Sequence, residues 1–153
     1  MNIRPVHESD YKEVIAVVDN WWGGRHMTDM LPRLFFKYFQ DTSFIAEEDG
    51  KIIGFLVGFI SQSYSTEAYI HFIGIHPDYR KTGIAKQLYE MFFNIVNKRG
   101  CITVNCVTSP INKGSIAFHK KMGFIIEKGD NILLYGKVDE VIKTFHINSR
   151  IRK

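Results

Sequence analysis

The segment Arg80-Lys-Thr-Gly-Ile-Ala85 has the composition of a phosphate-binding loop. Arg80 and Lys81 supply positive charge, and Gly83, which has no side chain, lets the backbone approach a ligand closely. A helical pattern starts directly after the loop, so the loop lies at a helix N-terminus, where backbone N–H groups and the helix dipole attract an anion. The chemistry that this segment predicts is recognition of a phosphate group.

The elements on either side of the loop are those that such a site needs. Ala68–Ile75 is rich in β-branched and aromatic residues, which predicts a strand, and Pro77 ends it. After the loop, apolar residues recur at helical spacing, and they are Ile84, Leu88, Met91, Phe92 and Ile95. The glycine spacing matches neither the nucleoside-triphosphate loop nor the dinucleotide loop, so both of those phosphate sites are excluded.

A second strand-and-helix segment follows. Ile102–Val107 predicts a strand, and the sequence after it contains Asn112-Lys-Gly-Ser-Ile-Ala-Phe-His-Lys-Lys-Met-Gly-Phe124. Together the two segments resemble the GNAT superfamily of N-acetyltransferases, over roughly residues 1 to 127.

The resemblance rests on two patterns. The family's pyrophosphate loop, Arg/Gln-x-x-Gly-x-Gly/Ala, is filled here by Arg80, Gly83 and Ala85. The family's second pattern, Asn-x-x-Ala-x-x-Φ-Tyr-x-x-x-Gly-Phe with Φ apolar, is kept at Asn112, Phe118, Gly123 and Phe124. Ser115 stands in place of its alanine, and His119 stands in place of its tyrosine.

The resemblance implies an α+β, GNAT-like fold. Its central sheet would be mixed and mostly antiparallel, with about six or seven strands and about four flanking helices. The fourth and fifth strands would splay apart, and the pantetheine arm of coenzyme A would lie between them. We expect a single acetyltransferase domain over residues 1–153.

The N-terminal patterns agree with that order of elements. Asn2–Val6 predicts a strand, and Ser9 is expected to cap a helix over Tyr11–Asp19. A second helix is expected over Asp29–Gln40, with Pro32 in its first turn. Its apolar stripe would be Leu31, Leu34, Phe35 and Tyr38.

Two hairpins are predicted in the rest of the chain. Ser43–Glu48 and Lys51–Ser61 would pair across Asp49-Gly50, a strong hairpin signal. In the tail, Asn131–Tyr135 and Val141–Ile147 predict strands that would close the sheet or exchange with a second copy. A homodimer therefore stays an open alternative.

The activity that the resemblance implies is direct transfer of an acetyl group from acetyl-CoA, as co-substrate, to a primary amine of a small molecule. A neutral amine would attack the thioester, and a backbone N–H near Gly74 or Ile75 would stabilise the oxyanion. The expected coenzyme-binding residues are Ile73, Gly74, Ile75, Arg80, Lys81, Thr82, Gly83, Ile84, Ala85, Asn112, Ser115 and His119. Two alternatives stay open: a protein or peptide N-acetyltransferase of the same fold, and a non-catalytic acyl-CoA-binding module.

Three side chains are candidates for proton transfer. His119 falls where the family has its tyrosine, and we interpret it as the proton donor for the departing thiolate, because an imidazole donates at neutral pH more readily than a phenol. Strand parity puts Glu67 and His71 on one face of the fourth strand, and each is a candidate base for the amine. The alternative interpretation makes both histidines core residues and Glu67 a solvated strand end.

The segment Trp21-Trp-Gly-Gly-Arg-His-Met27 is the candidate acceptor site. Trp21 and Trp22 before two glycines suggest a flexible aromatic lid, and Arg25 would recognise a carboxylate of the substrate. Alternatively, Asp19 and Asp29 would attract a cationic amine. A third interpretation packs the tryptophans in the core against Phe35, Phe36 and Phe39.

Composition favours a globular domain without a nucleic-acid or membrane partner. The net charge is +4, but the basic residues are scattered and no nucleic-acid motif accompanies them. The longest apolar run, Ile52–Ile60, is about half of the ~20 residues of a membrane helix, and no signal-peptide pattern opens the chain, so we expect a cytoplasmic protein. Cys101 and Cys106 would point to opposite faces of a strand, which predicts free core thiols, and no metal-ligand spacing is present.

Overall fold

The computed structural model of the protein describes residues 1–108, 113–128 and 132–137. Its strands are β1 (Asn2–Pro5), β2 (Phe44–Glu48), β3 (Lys51–Ile60), β4 (Glu67–Ile75), β5 (Thr103–Thr108), β6 (Ile125–Lys128) and β7 (Ile132–Lys137). Its α-helices are α1 (Asp10–Trp21), α2 (Leu34–Tyr38), α3 (Ile84–Lys98) and α4 (Lys113–Lys121).

The strands form a mixed sheet in the order β1-β2-β3-β4-β5-β7-β6. β4 and β5 are parallel, whereas the pairs β1–β2, β2–β3, β5–β7 and β6–β7 are antiparallel. This arrangement confirms the predicted α+β fold with a mostly antiparallel sheet. Within it the chain forms two compact units: the first unit is Met1–Phe59 with Ile70–Phe92, and the second unit is Ile60–Tyr69 with Phe93–Lys153. The single domain over residues 1–153 stays a prediction.

The first unit has a core rich in aromatic side chains. Phe55 and Phe72 are stacked with ring centroids 5.6 Å apart, and Trp21 stacks on Phe55 at 6.0 Å. These rings belong to β3, β4 and α1, so their packing fixes the end of the first helix against the sheet of this unit. Buried aliphatic residues complete the core, among them Val14, Val18, Leu31, Ile45 and Val57.

The first predicted helix is confirmed as α1, but its predicted cap is wrong. Ser9 makes no side-chain capping hydrogen bond. Asp10, the first residue of α1, instead holds the segment before the helix: its Oδ2 atom accepts the backbone N–H of His7 at 2.7 Å and a guanidinium N–H of Arg4 at 2.8 Å. Burial alone would raise the pKa of Asp10, but these hydrogen bonds outweigh it and hold the pKa below its usual range.

The second predicted helix, Asp29–Gln40, is much shorter than expected. A 3₁₀ turn covers Thr28–Met30, and α2 has only five residues. Pro32 explains the break, because a residue before proline avoids the helical region, and Leu31 has φ −126° and ψ 78°. The predicted stripe is also wrong in part: Leu31, Phe35 and Phe36 are buried, whereas Leu34 and Tyr38 are exposed.

The predicted hairpin is confirmed. β2 and β3 pair antiparallel with Glu48 opposite Lys51, which leaves a two-residue turn. Asp49 and Gly50 both have positive φ, 51° and 77°, the conformation that lets a two-residue turn follow the twist of the strands.

The second unit is organised around β5. The register of β4 with β5 joins Glu67–Tyr69 to Thr103–Asn105, whereas β7 pairs with β5 along its whole length. The β4 register thus ends half-way along β5, as the predicted splay requires. Cys101 and Cys106 are buried free thiols, as expected. The strand predicted at Val141–Ile147 lies outside the described residues.

The described residues contain no helix that is both long and apolar enough to span a bilayer.

Candidate active site

The predicted phosphate loop is a tight backbone turn at the start of α3. Lys81 and Gly83 have left-handed φ angles of 65° and 87°. The carbonyl of Gly83 accepts the N–H of Gln87 at 3.1 Å, so the helix begins directly after this glycine. A Cβ atom built on Gly83 would have no described atom within 4 Å. The loop therefore presents the N-terminus of a 15-residue helix at an open surface, an arrangement that suits an anion.

Two side chains of the loop make hydrogen bonds that shape it. Arg80 donates from its guanidinium to the carbonyl of Trp21, at the last turn of α1. Thr82 donates its hydroxyl proton to the carbonyl of Tyr79. Arg80 thus anchors the loop to α1, a contact that its sequence position did not indicate. Its predicted contact with a phosphate stays a prediction.

Burial alternates along β4 as strand parity predicts. Ala68, Ile70, Phe72 and Gly74 are buried, and the residues between them, which include Ile73 and Ile75, are half-buried. A Cβ atom on Gly74 would lie 2.5 Å from Phe55 Cε1 and 2.9 Å from Trp22 Cη2, so only glycine fits. Aromatic side chains of the core therefore pack directly against the backbone at the position where the oxyanion donor is expected.

The two tryptophans form part of the core, not of a lid. Trp21 is 3% exposed and packs on Phe55 and, with ring centroids 5.6 Å apart, on His76. Trp22 is half-buried and contacts Phe72, with ring centroids 5.0 Å apart. Both indoles are held by aromatic partners, which does not fit a flexible lid, and their role in binding the acceptor stays a prediction. Those partners also differ from the predicted set of Phe35, Phe36 and Phe39.

The loop after the tryptophans is held by acidic side chains. Asp19 accepts the backbone N–H of Met27 at 2.7 Å, and the ring of His26 lies 3.0 Å from Asp29 and 3.6 Å from Asp19. The hydrogen bond with Asp29, and after it the negative charges of both carboxylates, raise the pKa of His26. The two acidic residues predicted to attract an amine thus already contact an imidazole. Arg25 is exposed, and its role as a carboxylate-binding residue stays a prediction.

His71 is fixed by contacts to α2 and to the segment before it. Its Nε2 atom lies 2.6 Å from the carbonyl oxygen of Met30, and its ring stacks on Phe35 with centroids 4.7 Å apart. A carbonyl accepts only, so Nε2 carries the proton and donates it. In the neutral ring the basic atom is therefore Nδ1, which defines the atom that a base role would use.

His119 lies in the second unit and is buried. Its Nδ1 atom is 2.6 Å from the carbonyl oxygen of Ser115 and 3.3 Å from the Ser115 hydroxyl, which also accepts a proton from Thr108 at 3.1 Å. Phe118 and Phe124 meet the ring edge-on, with centroids 5.6 and 5.1 Å away. The predicted alternative of a histidine packed in the core matches this environment.

The protonation state of His119 follows from the same contacts. Burial lowers the pKa of His119, and the hydrogen bond to the Ser115 carbonyl opposes this only in part. The neutral ring is therefore favoured, and its single proton lies on Nδ1. Proton donation from Nε2 would need the doubly protonated ring that burial disfavours, so the predicted donor role runs against this environment.

The remaining predicted residues lie in different settings. Glu67 is half-buried at the start of β4, and its carbonyl accepts the N–H of Ser61 at 2.9 Å. Asn112 lies outside the described residues. Asn105, on β5, is not among the predicted site residues, since a single polar residue in an alternating strand is common. In the part of the chain whose side chains are described, no three His, Cys, Asp or Glu residues group in a way that would hold a metal ion.

The sequence model of the acetyltransferase (GNAT) family matches residues 11–124 of this chain. The chain belongs to this family. A curated relative, an acetyltransferase of Sodalis glossinidius, is 30% identical over 142 residues, which cover 90% of this chain and 94% of that protein. The GNAT resemblance in the sequence is thereby confirmed, and the protein is an acetyltransferase.

Solved structures agree with this GNAT assignment at the level of the fold. Ard1 from Thermoplasma volcanium aligns with a TM-score of 0.75 at 20% identity and covers 89% of this chain and 96% of its own. The diaminobutyrate acetyltransferase of Paenibacillus lautus aligns with a TM-score of 0.69 at 20% identity, covering 90% and 95%. The latter structure contains its substrate L-2,4-diaminobutyric acid and coenzyme A.

In this GNAT acetyltransferase the predicted residues divide between the two units. The first unit holds the loop, Gly74, His71 and both tryptophans, and it joins the loop to α1 through Arg80. The second unit holds Glu67 and the hydrogen-bonded pair Ser115 and His119. The contact of Arg80 with the Trp21 carbonyl was missed, since it does not depend on local sequence spacing.

Proposed function

We propose that this acetyltransferase moves an acetyl group from acetyl-CoA to a primary amine of a small molecule, by direct transfer in a ternary complex. The observation that carries the proposal is the open, glycine-shaped N-terminus of α3, which offers backbone N–H groups and a helix dipole to a pyrophosphate. The diaminobutyrate acetyltransferase, whose structure contains coenzyme A and a small diamine, supports both the coenzyme and the substrate class.

The coenzyme is held mainly by backbone. The loop residues Arg80, Lys81, Thr82, Gly83, Ile84 and Ala85 surround the pyrophosphate, and Lys81 adds charge on an exposed side chain. The backbone of Ile73, Gly74 and Ile75 faces the thioester end, and an N–H at Gly74 or Ile75 stabilises the oxyanion. Phe55 and Trp22 pack closely against Gly74, so they restrict movement of its backbone. A preorganised oxyanion donor requires such a fixed backbone.

The base takes a proton from the ammonium form of the acceptor. His71 is the first candidate, because the Met30 carbonyl and the Phe35 ring fix its orientation, and in the neutral tautomer that donates to Met30 the basic atom is Nδ1. Glu67 is the second candidate, acting through water from the start of β4. Base catalysis by a positioned side chain contributes about 10²- to 10⁴-fold, so replacement of the correct residue should lower kcat by about that factor.

His119 and Ser115 are proposed to lie at the sulfur end of the coenzyme, where the family pattern has tyrosine and alanine. A proton-donating His119 would lose activity as the pH rises above its lowered pKa. A positioning His119 would show a flat kcat at and above neutral pH. A pH profile of kcat for the wild type and for His119→Ala separates the two roles.

The first experiment measures acetyl-CoA binding by calorimetry for wild type, Gly83→Glu and Gly100→Glu. Both glycines have left-handed φ, 87° and 91°, with no described atom within 4 Å of an added Cβ, and they lie at opposite ends of α3. The two substitutions therefore cause the same backbone strain, and only Gly83→Glu places a negative charge at the proposed pyrophosphate. We expect at least a tenfold loss of affinity for Gly83→Glu, roughly 1.4 kcal/mol, and a near-normal affinity for Gly100→Glu.

Equal affinity of the two variants for acetyl-CoA would overturn the proposal that this loop binds the pyrophosphate.

The second experiment follows thiol release from acetyl-CoA across a panel of small primary amines and of peptides with free N-termini. Turnover of small amines supports the proposal, and turnover of peptides alone would assign a peptide or protein acceptor. Tight binding of acetyl-CoA with no thiol release for any acceptor would favour the alternative of a non-catalytic acyl-CoA-binding module.

A further inference from the structure

One buried polar atom in the second unit has no partner. The side-chain oxygen of Asn105, Oδ1, is shielded from solvent and has no hydrogen-bond partner in the described part of the chain. An unpaired buried acceptor costs free energy, so proteins keep few of them, and those that persist often serve a functional site. A hydrogen-bond donor that arrives with a ligand would satisfy this oxygen.

The register places Asn105 on the same face as Glu67, which already has a proposed role. It is the Cα partner of Tyr69 in the parallel β4–β5 pair, and Thr103 is the partner of Glu67. Paired residues of neighbouring strands lie on the same face of a sheet. The burial pattern agrees, because all four of these residues are half-buried while Ala68 and Val104 between them are buried.

This face carries the groups that a protonated amine needs. Glu67 provides a carboxylate, and Asn105 provides the unpaired carbonyl oxygen. Burial, and to a smaller degree the neighbouring Cys106, raise the pKa of Tyr69, so its hydroxyl stays protonated at neutral pH. Val107, the next residue of β5 on the same face, is 48% exposed, which opens the face to solvent and offers apolar contact to a substrate stem.

We propose that Asn105 is a specificity-determining residue that accepts an N–H hydrogen bond from the acceptor amine. This inference rests on the proposed function, since it requires that an amine binds. A pantetheine amide also carries an N–H group, but a chain that pairs with a strand does so in the plane of the sheet, whereas the Asn105 side chain projects from its face. The amine of the acetyl acceptor is therefore the N–H donor that fits the direction of the Asn105 side chain.

The test compares Asn105→Leu, Asn105→Asp and the same-face control Thr103→Val with wild type. Leucine has the same branched shape and no acceptor, so we expect kcat/KM for the best amine to fall about ten- to hundredfold with the KM for acetyl-CoA within twofold. Removing an unpaired buried oxygen should leave Tm unchanged or higher. Aspartate keeps an acceptor oxygen in the same place, so its KM for the amine should stay closer to wild type, and Thr103→Val should behave as wild type.

Three results would overturn the inference. An unchanged kcat/KM for the amine in Asn105→Leu would show that the oxygen is not used. A rise in the KM for acetyl-CoA of the same size as for the amine would assign the oxygen to the coenzyme. A lowered Tm in Asn105→Leu and Asn105→Asp, with activity lost in parallel, would show that Asn105 has a structural role. A wild-type enzyme that acetylates no amine would instead contradict the proposed function itself, and the inference with it.

Discussion

Segments 74–85 and 113–124 carry separate parts of the proposed chemistry, and they are built in different ways. In the first, backbone conformation defines the site: Lys81 and Gly83 are left-handed, and Gly74 has no room for a side chain. In the second, a side chain defines it: His119 is buried, donates to the Ser115 carbonyl and meets two phenylalanine rings.

This difference determines which substitutions each segment tolerates. A site made of backbone N–H groups accepts many side chains but is sensitive to any Cβ that the geometry forbids. A site made of a buried side chain depends on its partners and on its protonation state. Replacement of His119 by tyrosine can therefore change the chemistry without changing the backbone.

The largest effect on stability is expected from Gly74→Ala. The added Cβ would lie 2.5 Å from Phe55 Cε1, and the buried ring has little space to move. Overpacking of this kind costs about 1–3 kcal/mol, and we expect urea unfolding to report a loss in that range. Gly54→Ala is the matched control, since its nearest neighbour is the flexible Cδ1 of Ile75 at 3.1 Å. Equal losses in the two variants would mean that the backbone at Gly74 is not specially confined.

The second prediction concerns the pH dependence of stability in the other segment. The folded pKa of His119 lies below its ordinary value of about 6.5, so between these two pH values the unfolded chain binds a proton that the folded chain does not. The free energy of unfolding should therefore fall as the pH drops through about 6.5, by at most ~1.4 kcal/mol per pH unit, and level off below the folded pKa.

His119→Phe removes the titrating group while keeping an aromatic ring, so its stability should fall less between pH 7.5 and pH 5.5. Urea unfolding of both proteins at these two values measures the difference. The raised pKa of His26 has the opposite effect, but it is present in both proteins and cancels. Parallel curves for the two proteins would show that His119 is not buried in its neutral form.

The same contrast explains what the sequence predicts well and what it does not. The glycine turn before α3, the hairpin turn at Asp49-Gly50 and the alternation along β4 depend on short-range rules for glycine and strand parity, and the structure has all three. The predicted second helix is longer than α2 because Pro32 keeps Leu31 out of the helical region in spite of the helical periodicity around it.

Features that depend on tertiary packing were not predictable. Trp21 and Trp22 have the same local sequence whether they form a lid or a core, and only Phe55 and Phe72 decide the outcome. The proton position on His71 depends on the Met30 carbonyl, 41 residues away in sequence. The unpaired oxygen of Asn105 is likewise visible only once the pairing of β4 with β5 is known.

A third prediction tests whether the loop is indeed a backbone site. Arg80→Lys keeps the charge but loses the planar group that reaches the Trp21 carbonyl, so it should cost about 1 kcal/mol in stability. The affinity for acetyl-CoA should fall by less than about tenfold, a smaller loss than for Gly83→Glu. Lys81→Arg serves as the control, because it makes the reverse substitution, lysine to arginine, at the neighbouring position. A loss for Arg80→Lys as large as that for Gly83→Glu would place the binding energy in the arginine side chain.

The smallest effect is expected from Ser115→Ala, which restores the alanine of the family pattern. The substitution removes the hydroxyl that contacts Thr108 and His119, but it keeps the backbone carbonyl that accepts the Nδ1 proton at 2.6 Å. Because a neutral hydrogen bond contributes about 0.5–1.5 kcal/mol and the stronger bond to His119 remains, stability and kcat should change little. An NMR titration of the His119 ring in wild type and Ser115→Ala measures this directly. A clear change in its pKa would show that the hydroxyl chain from Thr108, and not the carbonyl, sets the protonation state of the histidine.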